Sequence, residues 1–250
     1  MILNIDLIIM YGIIFIFGLV LGSFYNVIAL RTLSGENLAF PPSHCTKCNH
    51  RLSVFDLIPV FSWLFLKGKC RYCKDKISPI YPIGELLTAF SYTFIVYQFG
   101  FTMTTLIQIV FITAMIWCTI ADLKETLVPD RFIIIGLIAV FILRLIHGED
   151  LVYYLISCVV SFAVLFMIFL LSGGKMGGAD VKLYALIGLS IGAMDAMGSL
   201  FYASIIALIF QIPILIKNKG KLDRTREIPF VPFITLGVLC TYVLDYFKFI

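Results

Sequence analysis

The sequence predicts an all-α polytopic membrane protein of about eight transmembrane helices, with a small cytoplasmic four-cysteine domain between helices 1 and 2. Three observations predict it. The 250 residues are 61% hydrophobic and 14% charged, with a mean hydropathy of +1.03, far from the composition of a water-soluble domain. Apolar runs of spanning length recur at 8–30, 83–99, 103–121, 132–146, 151–171, 181–194, 197–216 and 230–247. With eight spans the basic residues segregate: of the 19 Lys and Arg, all but Arg144 and Lys248 fall in 31–82, 122–131, 172–182 and 217–229, on one side. The positive-inside rule makes that side the cytoplasm and places both termini outside it.

Taken in order, residues 1–30 are the first transmembrane helix. This run lacks a basic leader and leads straight into Arg31, so it reads as a span rather than a cleaved signal. Residues 31–82 are the one polar stretch large enough for a domain outside the bilayer. Residues 83–250 then form a seven-helix membrane domain, in which 181–194 is the shortest run and requires tilt or local thinning. Within it, Pro129-Asp130 reads as a helix start with its carboxylate near unpaired backbone donors.

Cys45-Thr46-Lys47-Cys48 and Cys70-Arg71-Tyr72-Cys73 are two paired-cysteine knuckles with 21 residues between their inner cysteines. Four thiolates from two such knuckles match the tetrahedral preference of structural zinc, which makes 31–82 a zinc-knuckle domain. The competing readings are reduced thiols or a disulfide pair. A cytoplasmic position disfavours the disulfide, and Lys47, Arg51, Lys69, Arg71 and Lys74 offset a thiolate cluster's charge. A domain of about 50 residues has little core, so metal binding would supply much of its folding free energy. Basic residues beside a knuckle also suit nucleic acid, but a module tethered inside a membrane-embedded chain argues against that partner. The segment Leu52 to Leu66, with Pro59 and Trp63, either packs over the metal or lies on the inner membrane surface, where basic flanks favour anionic lipid headgroups. Cys118, Cys158 and Cys240 lie in apolar runs and read as small buried side chains.

Two carboxylates carry the candidate chemistry. Asp122 ends the third span and Asp180 begins the sixth, so both face the cytoplasm at similar depth although 58 residues apart in sequence. Carboxylates in such positions are expensive to place and usually functional. Two that share one proton can divide labour, one accepting a proton from water while the other hydrogen-bonds a substrate carbonyl. The glycines near Asp180 (Gly173, Gly174, Gly177 and Gly178) would let an extended substrate backbone approach closely. The plainer reading is that each aspartate marks a helix end at the headgroups. A transporter would hold such groups at mid-membrane depth near inverted repeats, which are not evident. The three histidines, His44, His50 and His147, form no His-Glu-x-x-His element, and none lies inside a span to serve a serine nucleophile.

An ordered set of motifs goes further: Gly22-Ser23-Phe24-Tyr25-Asn26-Val27, both cysteine knuckles, Leu57-Ile58-Pro59, Tyr81-Pro82-Ile83-Gly84-Glu85, Asp122, Pro129-Asp130, Gly178-Ala179-Asp180-Val181-Lys182 and Ile228-Pro229-Phe230-Val231-Pro232-Phe233. With these, nearly the whole chain resembles the bacterial type IV prepilin peptidases, GxGD-type intramembrane aspartic proteases that are bifunctional leader peptidases and N-methyltransferases. The resemblance implies that Asp122 and Asp180 are the catalytic pair. It implies type IV prepilin or pseudopilin substrates, cut after the glycine of a short basic leader on the cytoplasmic side. It also implies N-methylation of the new amino terminus with S-adenosylmethionine, a chemistry that composition and spacing do not suggest.

The chain departs from the pattern in places. Ala179 stands where the motif has glycine, Tyr25 where leucine is usual, and Arg31-Thr32-Leu33 where Arg-Leu-Pro is usual. The compact 31–82 domain resembles the short forms of competence systems and keeps open a peptidase without methyl transfer. Glu85 reads as a helix-start carboxylate or as a contact for the leader or the methyl-transfer site, with Asn26 as a companion. Lys182 either folds back on the aspartate pair or snorkels to the interface.

Overall fold

The computed structural model describes residues 5–148, 150–173, 176–217 and 228–248. Gly174 and most of the basic 217–229 loop lie outside those residues. Each apolar run is a helix: α1 (Ile5–Ser34), α3 (Ile80–Phe99), α4 (Met103–Glu125), α5 (Asp130–His147), α6 (Leu151–Leu171), α7 (Gly178–Ile191), α8 (Ala193–Lys217) and α9 (Val231–Lys248). A 3₁₀ turn (Val54–Leu57) and the short α2 (Phe61–Phe65) lie in the polar insert.

The expectation of about eight transmembrane helices is not met. Among the described residues, four helices are long and apolar enough to cross a membrane: Ile5–Ser34, Met103–Glu125, Leu151–Leu171 and Ala193–Pro213. Counting apolar runs ignored what else each helix carries. α7 has 14 residues, a rise of roughly 21 Å against a hydrocarbon core of about 30 Å. The 18 residues of α5 include Asp130, Arg131 and Arg144. α3 dilutes its apolar side chains with Pro82, Glu85 and three tyrosines, and α9 qualifies only as a shorter apolar helix, Val231–Leu244. Each of these packs on one of the long helices: α3 on α1, α5 on α4, α7 on α6 and α9 on α8.

The chain divides into two compact units, the first ending at Gly100. In the first, α1 is apolar all round, yet one stripe of small residues faces α3. A Cβ on Gly18 would sit 2.6 Å from the Ala89 Cα, and one on Gly22 would sit 2.7 Å from the Glu85 Cα. This is the close backbone approach that a G-x-x-x-G spacing permits. Tyr25 and Tyr92 share a hydroxyl hydrogen bond of 2.8 Å across the same seam. Replacing Gly22 with leucine forces the helices apart and costs about 1–3 kcal/mol; thermal unfolding of the detergent-solubilised protein measures it.

In the second unit α4 is central, with 67% of its spanning window buried, against 17% for α6 and 22% for α8. α5, α7 and α9 pack on it. Thr119 on α4 and Thr235 on α9 exchange a buried hydroxyl hydrogen bond of 2.8 Å, pinning the register of those helices. α7 lies against α6 so closely that a Cβ on Gly188 would approach the Ser157 carbonyl oxygen to 2.4 Å. At the end of α7, the Ser190 carbonyl accepts from Gln108 Nε2 at 3.1 Å and from the buried Arg144 guanidinium. A helix that stops early leaves carbonyls without intrahelical partners, and α4 and α5 supply them.

Candidate active site and metal centre

Asp122 lies in the last turn of α4 and Asp180 in the first turn of α7. Both are buried, at 6% and 7% exposure. Their helices pack together, and Asp180 lies within the field of the Asp122 charge.

Their surroundings differ. Asp122 Oδ2 accepts from the Val231 N–H at 2.9 Å, and the Phe230 N–H also bonds this carboxylate. These are backbone donors at the start of α9, where helical geometry leaves N–H groups free and the dipole favours negative charge. Sequence reasoning missed this contact. Pro232 in the first turn of α9 was the signal for a helix start, and hence for free donors. Among the described residues Asp180 receives no such donors; its carboxylate instead folds back over Gly177. A Cβ on Gly177 would lie 3.0 Å from its Oδ2.

That contact adds a role for Gly177 beside the substrate approach expected above. Alanine fits the Gly177 backbone, at φ −63° and ψ 128°, so Gly177→Ala folds. It displaces the Asp180 carboxylate by a few tenths of an ångström, and any activity that depends on this carboxylate falls about tenfold or more at unchanged thermal stability. Equal turnover by the alanine variant would show that this carboxylate position is unimportant.

Asp130 starts α5, as the sequence implied, and is exposed. Both its oxygens accept from Lys182 Nζ at 2.8 Å. The Lys182 ammonium pairs with Asp130 rather than with Asp122 or Asp180, and so ties the start of α7 to the start of α5. Glu85 is 6% exposed and accepts from the Val60 N–H at 2.7 Å, joining α3 to the polar insert. Arg31, one of the charges that set the orientation, is buried and donates to the carbonyls of Asn37, Leu38 and Pro41.

The cysteines of the insert converge. The sulfurs of Cys45, Cys48, Cys70 and Cys73 all lie within 4.8 Å of one another, and those of Cys45 and Cys73 are 3.8 Å apart. A Zn–S bond of about 2.3 Å gives a tetrahedron whose edge is about 3.8 Å, so this donor set fits the metal. Backbone N–H groups, first that of Cys48, bring the Cys45 thiol down to about 7, within reach of the thiolate a metal needs.

The two knuckles are copies. Cys45 N donates to His50 O and Asn49 N to Cys45 O; the same bonds run from Cys70 N to Asp75 O and from Lys74 N to Cys70 O. Asn49 and Lys74 both take positive φ, 54° and 60°, and His44–Arg51 and Lys69–Lys76 form matching bridges. The repeat was present in the sequence but obscured, because outside the cysteines almost no residue type is retained. Asp56 joins the halves by accepting from Ser53 and from Arg71 Nε at 2.6 Å. Although burial opposes it, these bonds hold the Asp56 carboxyl at about 2. Within Leu52–Leu66, Val54 and Phe65 are 81% and 82% exposed.

Two family models match. Residues 16–99 match the bacterial peptidase A24 N-terminal domain, and residues 109–212 match the type IV leader peptidase family. Among curated proteins, the chain is 33% identical to a prepilin leader peptidase/N-methyltransferase of Bacillus subtilis over 94% of each chain. It is 30% identical to one of Aeromonas salmonicida, over 91% of this chain and 88% of the relative. It is 31% identical to a type 4 prepilin-like proteins leader peptide-processing enzyme of Escherichia coli, over 91% of each. No solved structure gives a significant match.

Proposed function

We propose, from the premise that this chain belongs to the type IV leader peptidase family, that Asp122 and Asp180 are its catalytic dyad. The chain is a membrane enzyme that cleaves prepilin-type leader peptides. The observation that supports the dyad is the burial of two carboxylates in one site with unequal hydrogen bonding. Asp122, held by two backbone N–H groups, is suited to carry the negative charge and act as base. Asp180, without such donors and in the field of that charge, is suited to hold the shared proton.

Water held between them loses a proton to Asp122 as its oxygen bonds to the scissile carbonyl carbon. Asp180 gives its proton to the carbonyl oxygen, forming a gem-diol. Collapse breaks the C–N bond; the amine takes the proton from Asp122, and Asp180 recovers its own from the diol. The substrates are type IV prepilins or pseudopilins with a basic leader, cut after glycine. A peptide with a basic leader, a glycine and an apolar helix, incubated with the reconstituted protein, tests this. A single cut after that glycine is expected, and an intact peptide would remove the assignment.

Zinc is assigned to the four cysteines as a structural ion. N-methylation of the freed amino terminus is supported by the N-methyltransferase in the names of the Bacillus subtilis and Aeromonas salmonicida relatives, and S-adenosylmethionine would supply the methyl group.

The basic residues of the insert favour the cytoplasmic side for the cysteine domain.

A further inference from the structure

The α1–α3 seam holds a polar layer that the cleavage chemistry does not use. Asn26 is 1% exposed. Its Nδ2 donates to the Tyr81 carbonyl at 2.9 Å, which fixes the amide and turns Oδ1 the other way, where it is buried with no hydrogen-bond partner. Glu85 lies one turn beyond Tyr81 on α3, and Ser23, one turn before Asn26 on α1, bonds its carboxylate. Among the described residues no Lys, Arg or His forms an ion pair with Glu85. Its partner Val60 has φ +62°, a backbone conformation that β-branched residues rarely adopt.

A buried acceptor without a donor and a buried carboxylate without a cation each cost free energy. One ligand removes both costs: a cation with several N–H donors. We infer that Asn26 Oδ1 and the Glu85 carboxylate form a receptor for a primary ammonium group of the peptide. This rests on the proposed function, because peptide-bond hydrolysis frees an α-ammonium and a basic leader offers lysine side chains. An ammonium has three N–H groups, enough for the amide oxygen, the carboxylate and one further acceptor.

The test is peptide binding to the full-length protein in lipid nanodiscs, followed by fluorescence anisotropy with peptides that have no scissile bond. One arm compares a mature-type amino-terminal peptide bearing a free α-amine with its N-acetylated twin. The other compares an isolated lysine-containing leader with its Nε-acetylated twin. In one arm the charged form binds at least about tenfold tighter, and that arm identifies the source of the ammonium. Glu85→Gln and Asn26→Leu each bring the ratio close to one at unchanged zinc content. Glutamine retains an acceptor for Val60 and Ser23. A carboxylate with a merely structural role would therefore weaken both twins alike and leave the ratio standing. A ratio near one in both arms for the unmodified protein, or one that survives Glu85→Gln, overturns the inference. Neither outcome depends on Asp122 or Asp180.

Discussion

Asp122→Asn and Asp180→Asn each lower leader cleavage by at least about a thousandfold, within the range that general acid–base groups contribute, while the protein stays folded and in the membrane. Asparagine keeps the shape of aspartate and removes its charge. At position 122 the amide oxygen still accepts from the Val231 N–H, so the start of α9 stays capped. What disappears is the group that takes a proton from water. At position 180 the carboxylate caps nothing, and its replacement leaves the packing of α7 on α6 untouched. A cleavage assay on purified, reconstituted variants reads the effect, and circular dichroism checks the fold. Substantial turnover by either variant would end the dyad assignment.

Serine at Cys45, Cys48, Cys70 or Cys73 takes bound zinc from about one per chain to near zero and unfolds the insert. The ligands come from both knuckles, and little else joins the halves: the Asp56–Arg71 pair, a His50–Tyr72 ring contact and the Trp63 indole on the Ile77 carbonyl. With so few contacts, losing one sulfur releases the others. Metal analysis of protein prepared without chelator, with hydrogen exchange across 35–78, measures both effects. Protein purified without any zinc would refute the metal assignment.

The sequence carried these features unevenly. The knuckles were legible because metal ligation imposes a fixed spacing that survives any change around it. The position of each helix was legible from its apolar run, and Pro129-Asp130 marked the start of α5. The number of spans was not: an apolar run shows a helix without showing whether that helix is long and uncharged enough to cross, and the 14 residues of α7 and the three charges of α5 decide against it. Contacts between distant positions were also hidden. Nothing near Lys182 announces Asp130, 52 residues away, and nothing near Asp122 announces Val231, 109 residues away.

Gly188 bears on how the enzyme responds to its surroundings. With no side chain between α7 and the Ser157 carbonyl, the two helices have no room to slide, and the far end of α7 is fastened through Ser190. Asp180 therefore cannot travel without α6, whose surface is mostly given to the acyl chains. Membrane thickness and lateral pressure thus become mechanical inputs to the chemistry, delivered through a helix that carries none of the reacting groups.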